Sequence, residues 1–581
     1  MILLLTPPLT QLNTPYPATA ALTGWLERLG VESVQRDLSI EVALDVLSRY
    51  GEQPLTDRVI AFLQGKCPDD AEELADPDFL PEGDSFRELD HIGWVADPLE
   101  RAKLRCSLYL DDLAKAIQEQ VDPDFGFSRY AEHLGEALPD FGVLLRRLRR
   151  HTPVDRILER KVAQILDEVA PNRPTRKGDR PLVVGVTCPF PGTLLGAFRI
   201  ASVVRKLRPE ARLWLGGGYV STELRFADDP RIKRYFDELM FDEGYDNFRK
   251  LLAPLGYGPG RTRSREVREA WKMPIPSFVK PSYRGLDLTQ YIDLAETANP
   301  MHRLWSDGRW LKMQLARGCY WHKCAFCDVT LDYIKCFAMP DAVTLVDAMQ
   351  ALAAETQAPH APGNGCLPPS FHFTDEAIPP VLAEKLAREI LRRKFVCRWW
   401  GNIRFDASWT PARCRLLAEA GCIAVTGGLE CAVDRLLTLM NKGITRASAQ
   451  VALANFAQAG ILVHAYLMYG FPTQTERELR SALAYVRDRF REGTLQSAFF
   501  HRFALTIHSP IAKDPARFGI RIVPRPKARF ALNEIPYEEP GAPDWGRLGR
   551  PLKLALYNYM LGLGLTKPIS FWFDSVAQEG E

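Results

Sequence analysis

The chain has no long apolar run, no excess of charge of either sign and no dense set of cysteines, and each absence removes a class of protein. No stretch approaches the roughly 20 apolar residues needed to cross a bilayer. The opening MILLLTPP is halted by Pro7 and Pro8, with no basic segment ahead of it and no small-residue cleavage site behind it. It reads as a buried first strand. The 74 basic and 72 acidic residues nearly cancel, to a net charge of +2, which gives no reason to expect nucleic acid or a membrane surface as partner. Twelve cysteines among 581 residues, without a signal peptide, do not read as the disulfide framework of a secreted protein. The expectation is a soluble, cytoplasmic protein of two or three domains, with ample core in its 46% hydrophobic residues.

What is present is a βα rhythm. Residues 2–5 read as a strand, 18–29 as a helix ended by Gly30, and 31–35 as a second strand. From about 40 to 175 the pattern turns helical and charged, with a looser acidic stretch at 67–84, and reads as a helical insertion. The rhythm resumes with LVVGVT, LLGAFRIASVVRKL, RLWLGG and ELMFDEGYDNFRKLL. Residues 1–255 are therefore expected to form an α/β, Rossmann-like doubly wound domain with ligand loops at the C-terminal ends of parallel strands. Residues 256–300, rich in Pro, Gly and basic residues without clear period, read as a linker. Over 301–515, six strand candidates (KMQLARG, SFHFTDE, CRWWGNIRF, IAVTGGLE, LVHAYLMYGFP and SAFFHRFAL) alternate with helical stretches and fit a partial (β/α)6 barrel. Residues 516–581 read as a C-terminal extension or cap.

Residues 315–330 read LARGCYWHKCAFCDVT. The thiols of Cys319, Cys324 and Cys327, with four and then two residues between them, follow a predicted strand. Such a loop can wrap three corners of a cubane cluster and leave the fourth iron open to a ligand. A zinc site wants four ligands; His322 is the candidate fourth, but it sits inside the same short loop, where reaching the metal strains it. Chance proximity is the third reading. The other nine cysteines read as small buried hydrophobes.

RGC followed by CxFC resembles the signature loop of the radical S-adenosylmethionine (SAM) superfamily, with one residue more than the usual three between the first two cysteines. The resemblance implies one [4Fe-4S] cluster on Cys319, Cys324 and Cys327. Its open iron chelates SAM, and electron transfer splits SAM to methionine and a 5'-deoxyadenosyl radical. It also implies SAM contacts at successive strand ends. Phe326 is expected against the adenine, and Thr374, Asp375 and Glu376 as acceptors for the methionine ammonium. Asn402 and Arg404 are expected at the carboxylate or ribose. Glu430, in TGGLECAVDRLLTLMNKG, is close to a GLESG...MNKG pattern and implies a polar contact. The apolar backbone of residues 466–472, including Leu467 and Tyr469, is expected along the adenine. Each has a plainer reading. TDE at 374–376 is a common helix cap, Arg404 and Glu430 suit a surface or barrel salt bridge, and Trp399 and Trp400 suit packing.

Residues 1–255 resemble the cobalamin-binding domain found in one large radical SAM class. The resemblance implies a cradle of Leu9, Thr10, Gln11, Asn13, Thr14 and Tyr16 after the first strand, and of Thr187, Cys188, Pro189 and Phe190 after a later one. Gly216, Gly217, Gly218 and Tyr219 follow the next strand, the glycines permitting close approach. Glu243, Gly244 and Tyr245 stand where such domains have a GEGE-type loop. The DxHxxG motif that supplies a histidine to cobalt elsewhere is missing, because Asp90, His91 and Gly93 have the wrong spacing. Cobalamin is therefore expected base-off, with no histidine ligand. The plainer reading is a Rossmann-like domain for another nucleotide, or for none.

The activity implied is that of a class B radical SAM methyltransferase. It would move a methyl group from methylcobalamin to an unactivated carbon of a peptide or small-molecule substrate, with an electron donor such as flavodoxin or ferredoxin. Two alternatives stand beside it: a cobalamin-dependent rearrangement, cyclisation or ring contraction without methyl transfer, and a cobalamin-binding sensor with a vestigial cluster. No cysteine follows Cys431, and Cys67, Cys106 and Cys188 are dispersed. A maturase with C-terminal auxiliary clusters and a methylthiotransferase are both disfavoured.

Overall fold

The computed structural model describes the chain except for residues 90–95, 128–139, 172–179, 261–262, 296–300, 302–304, 306–308, 357–367, 525–529 and 579–581. Asp90, His91 and Gly93 lie outside the described residues. The chain divides into two compact units, one of Met1–Ala295, Leu352–Leu367 and Pro526–Asn533, the other of Glu296–Ala351, Pro368–Arg525 and Glu534–Glu581.

In the first unit the strands are β1 (Ile2–Thr6), β2 (Ser33–Asp37), β3 (Val183–Thr187), β4 (Arg212–Gly216) and β5 (Glu238–Leu239). They pair in parallel in the order β2-β1-β3-β4-β5. β1 and β3 are buried at every position, which is why ILLLT and VVGVT are continuous rather than alternating apolar runs. The order reverses between β1 and β3, the kind of switch point beside which open parallel sheets place their ligand loops. The expected insertion lies between β2 and β3 as helices Leu38–Tyr50, Leu55–Leu63, Pro98–Gln120, Phe141–Arg149 and Pro153–Val169. It is fastened to the sheet layer through Arg199 of helix Leu194–Leu207, 1% exposed, which reaches Asp155 at 3.1 Å while Arg147 holds the same carboxylate oxygen at 2.8 Å.

The segment expected as a linker is part of this unit up to Ala295. Ser282 N–H donates to Ala20 O at 2.9 Å, and the fully buried Gln35 of β2 donates to the carbonyls of Ser282 and Arg284 at 2.8 and 2.9 Å. Ile292 N–H donates to Leu12 O at 3.0 Å. A Cβ on Gly24 would lie 1.9 Å from Lys280 O, which explains a glycine inside helix Pro17–Arg28. The segment has no period because its backbone groups are satisfied by loops and side chains instead of a ladder.

The second unit carries β6 (Leu311–Met313), β7 (Ser370–Phe373), β8 (Arg398–Ile403), β9 (Cys422–Glu430), β10 (Leu462–Tyr469) and β11 (Ser497–Arg502). They form one parallel six-stranded sheet in chain order, with β6 and β11 at its edges. This is the open arc expected from the six βα units. Asn402, Thr426, His464 and Ser497 are partners in register across one face. Trp399, Leu467 and Phe500, one residue out of step with that face, are buried to 1%. Residues 516–581 add helix Trp545–Met560, which packs against β11. No helix among the described residues is long and apolar enough to cross a membrane.

Candidate functional site

The cysteine loop follows β6 and is clasped by several later segments of the second unit. Ala325 N–H donates to Met440 O at 2.8 Å, Trp321 Nε1 to Asn441 O at 2.9 Å and Asn441 Nδ2 to Lys323 O at 3.0 Å. Gly443, at φ +72°, has no room for a Cβ, which would stand 2.1 Å from the Trp321 ring. Ile511 N–H donates to Ala325 O at 3.1 Å, and Thr330 Oγ1 to His508 O at 2.8 Å. Within the loop, Cys324 and Cys327 are joined by a hydrogen bond that holds the Cys324 thiol below its ordinary range and the Cys327 thiol above it; Lys442 and Arg404 add to the lowering at Cys324. Among the described residues no three His, Cys, Asp or Glu side chains are gathered closely enough to hold a metal ion. The structure thus brings two of the three expected ligands together, with half-buried Cys319 on the same loop. His322 is exposed, and its Nδ1 donates to Cys319 O at 2.9 Å, so its ring is engaged outside the thiol pair.

The strand-end residues fall into distinct places. Asp375, 1% exposed, accepts from the N–H of Leu315 and of Ala316 at 2.8 and 2.7 Å. Burial pushes its carboxyl up to about 7 against these hydrogen bonds. Both oxygens are thereby committed to the backbone that leads into the cysteine loop, so Asp375 positions that loop. Glu376 is exposed and has no hydrogen bond or ion pair among the described residues. Neither Thr374 nor Asp375 caps the next helix, Pro380–Arg392, whose cap is Pro379. Asn402 donates to Asp375 O at 3.0 Å and accepts from Thr426 Oγ1. Arg404, 4% exposed, donates to Lys442 O and lies 4.3 Å over the Trp321 ring, and it forms no salt bridge among the described residues. Glu430 is in one: its carboxylate is 2.5 Å from Lys442 Nζ, both side chains being about 10% exposed or less. Phe326 is half-buried, its ring 5.6 Å from the same ammonium.

For residues 466–472 the expected contact is through apolar backbone, and the strand fixes where the side chains of Leu467 and Tyr469 go. The pleat turns both to the outer face, where Tyr469 lines a cavity of about 690 Å³ with Gly549, Arg550 and Lys553 of helix Trp545–Met560. Tyr466, 39% exposed, has the inward place instead, beside His464 and His501. A single-residue offset reverses the face in a strand, and a register shift falls between Tyr466 and Leu467. Trp399 is a packing residue that donates to Ala420 O at 2.9 Å, and Trp400 stacks on His372 at 3.6 Å.

In the first unit the expected loops gather at the C-terminal edge of the sheet. Thr10 and Gln11 N–H both donate to Ser39 Oγ, at 2.8 and 2.9 Å, and Gln11 Nε2 donates to Asn13 at 2.8 Å. Tyr16 meets Phe190 edge to face at 5.7 Å, joining the loops after β1 and β3. Gly217, at φ +115°, lies so close to Cys188 that a Cβ would be 2.6 Å from its carbonyl, and Tyr219 N–H donates back to Cys188 O and Pro189 O. At Gly217 the missing side chain thus serves loop-on-loop packing. Leu9, Thr14, Cys188 and Tyr219 are buried at 2% or less and Tyr245 at 8%. Gln11, Asn13, Tyr16, Glu243 and Gly216 remain half-buried, with Phe190 and Gly218 exposed. Gly244, at φ +75°, opens helix Tyr245–Leu252. The buried hydroxyls of Thr6 and Thr187, at the ends of the adjacent strands β1 and β3, have no hydrogen-bond partner among the described residues. Thr187 was expected at this edge; Thr6 was missed, since a threonine ending an apolar strand carries no distinguishing signal.

No protein-family model matches the chain. An uncharacterized methyltransferase of Pyrococcus horikoshii is 22% identical over 337 residues, which are 53% of this chain and 64% of that protein. Among solved structures, the radical SAM methyltransferase TsrM from Kitasatospora setae aligns over 96% of this chain and 88% of its own, at 16% identity and TM-score 0.53, in a form with tryptophan substrate and a SAM analogue bound. The chain has the TsrM fold. A second TsrM structure, with cobalamin and a [4Fe-4S] cluster, agrees at TM-score 0.51 and 16% identity over 98% of this chain and 88% of that one. The chain spans 59% of the length of OxsB, a cobalamin-dependent SAM radical enzyme matched at TM-score 0.48 and 13% identity over 68% of this chain. The TsrM likeness covers both units, the five-stranded and the six-stranded parallel sheet alike.

Proposed function

We propose that the chain is a cobalamin-dependent radical SAM enzyme that methylates an unactivated carbon of a small molecule or peptide. The observation that carries this reading is the clasped cysteine loop. Two thiols are held in contact at the C-terminal edge of a six-stranded parallel arc, under two buried cations, with an unengaged carboxylate, Glu376, on the adjacent strand end.

The donor set fits a thiolate-ligated cluster, since the Cys324 thiol is already biased toward its charged form, the form that binds metal. Cys319, Cys324 and Cys327 would hold it, and Glu376 would accept the ammonium of SAM. Asp375 and Asn402 would keep the strand ends in place. In the first unit, the orphaned hydroxyls of Thr6 and Thr187 and the half-buried Gln11, Asn13 and Tyr16 fit a ligand contacted through neutral groups. TsrM has been solved with cobalamin in a chain of this fold, and base-off cobalamin without a histidine ligand is the form we propose here. When bound, the cluster with SAM supplies radical generation, and cobalamin supplies the methyl group. The protein's part is to orient them and exclude competing reactions. A cytoplasmic site of action and a flavodoxin or ferredoxin as electron source complete the proposal.

The test is anaerobic reconstitution with iron, sulfide, cobalamin, SAM and a reductant. The expected result is about four irons per chain bound through the cysteine loop, SAM consumption, and a methylated product with the right substrate. A product lacking the methyl group would move the assignment to rearrangement or cyclisation. Tetrahedral zinc on the cysteine loop of the oxygen-free protein would overturn it.

A further inference from the structure

Lys442, the lysine of the MNKG segment, stands out among the charged groups of the second unit because no role was expected of it, yet its ammonium is enclosed next to the cysteine loop. The residue is 8% exposed. Its Nζ is 2.5 Å from Glu430 Oε1 and 5.6 Å from the centre of the Phe326 ring, which lies between Cys324 and Cys327 in the chain. Both thiols are within its electrostatic reach. Its backbone is fixed as well, since Arg404 donates to Lys442 O and the neighbouring Met440 and Asn441 carbonyls are bonded to Ala325 and Trp321.

Space has been made for this pair. A Cβ on Gly428 of β9 would sit 1.9 Å from Glu430 Oε1 and 2.7 Å from Lys442 Nζ. The strand thus has a glycine where any side chain would displace the ion pair, although its φ is not in the left-handed region. A buried ion pair is a poor source of stability, because desolvation offsets most of the attraction. Its enclosure beside two thiols therefore calls for another role. In a medium of low dielectric a fixed cation acts strongly on a nearby group whose charge changes, and the potential of a cysteine-ligated cluster depends on such local charge.

We infer that Lys442 is a positioning residue for electrons: its ammonium, oriented by Glu430 in the space left by Gly428, favours the reduced, more negative state of a cluster held by the cysteine loop. This rests on the proposed function only in requiring a cluster at that loop. The two charges pull in opposite directions. Removing the cation disfavours reduction, removing the carboxylate favours it, and removing both leaves a smaller effect than losing the cation alone.

The experiment is an EPR-monitored reductive titration of the anaerobically reconstituted full-length protein, comparing wild type with Lys442→Met, Lys442→Arg, Glu430→Gln and the double variant Lys442→Met/Glu430→Gln. Iron and sulfide content are measured on each sample. The expected result is a tenfold or larger fall in the reduction equilibrium for Lys442→Met, equivalent to 59 mV for one electron. Lys442→Arg should keep most of the wild-type potential, Glu430→Gln should shift it the opposite way, and the double variant should lie between wild type and Lys442→Met. Should Lys442→Met fail to fold, the direction of the Glu430→Gln shift decides. Full clusters with unchanged potentials, or shifts of one sign in both single variants, would overturn the inference and leave the functional reading standing. A wild-type protein that takes up no cluster would overturn both.

Discussion

Around the cysteine loop the braces are charged or polar side chains: Asp375 on two backbone N–H groups, Arg404 over Trp321, Lys442 against Glu430. Around the loops of the five-stranded sheet they are mostly neutral: Ser39 on the turn after β1, Gly217 against Cys188, and an edge contact between Tyr16 and Phe190. Burying charge is costly unless it is paired, so the charged architecture is economical only where the site must face charge. The neutral one leaves backbone and two hydroxyls available at the sheet edge, which suits a large ligand met through many weak contacts. The two strand-end edges thus differ in the kind of group that braces their loops.

The most severe way to break the contrast is to remove a ligand. Cys324→Ala should abolish cluster iron and reduce SAM cleavage to background while cobalamin binding, followed by its visible absorption, persists. Retained SAM cleavage would refute the ligand assignment. Next come two glycines that do the same steric job in different settings. Gly443→Ala forces a left-handed residue into the Trp321 ring, and Gly217→Ala forces one into the Cys188 backbone. Each should cost about 2 to 5 kcal/mol in denaturant unfolding. If the two regions have separate tasks, the first should lower iron content and the second cobalamin affinity. Identical losses in both assays would erase the distinction.

A finer test uses the buried carboxyl of Asp375, held near 7 by burial against an ordinary value of 3.8. Because the folded state binds this proton more tightly than the unfolded chain, its contribution to stability is full below about pH 4. That contribution falls away as pH rises through about 7, by at most about 1.4 kcal/mol per pH unit. Asp375→Asn keeps one acceptor and cannot ionise. The stability of wild type relative to this variant should therefore decline between pH 5 and 8 in urea titrations, and a constant difference would show that the carboxyl does not titrate there.

Much of this was legible beforehand. Four of the six strands of the arc fall inside the segments read from period and turn residues, β6 and β9 each start one residue before theirs, and LLGAFRIASVVRKL is the helix Leu194–Leu207 residue for residue. The cysteine loop was found by spacing. What escaped was decided over distance or by a half-step. The clasp on the loop is made by residues over 100 positions later, Met440 to Gly443; their MNKG pattern is visible in the sequence, but the spacing alone does not say that they hold the cysteine loop. Which face the side chains of Leu467 and Tyr469 take is set by a register shift beside Tyr466 that no local pattern shows. The segment 256–300 reads as a linker because, up to Ala295, backbone bonds to side chains and loops leave no periodic trace.

The smallest expected effect concerns Thr6 and Thr187, and it separates a ligand-binding edge from a merely structural one. A buried hydroxyl with no partner costs stability, since its lost hydration is not replaced. Replacing either with valine removes that cost while keeping shape, so Thr6→Val and Thr187→Val should leave the ligand-free protein unchanged or up to about 1 kcal/mol more stable. If the hydroxyls await a ligand on this edge, the same changes should weaken cobalamin binding several-fold in an equilibrium titration. Stabilisation with undiminished affinity would show that these two positions lie outside the cobalamin contact. It would leave Gln11, Asn13 and Tyr16 as the polar groups on which that assignment depends, and would weaken the electrostatic contrast between the two sites on its neutral side alone.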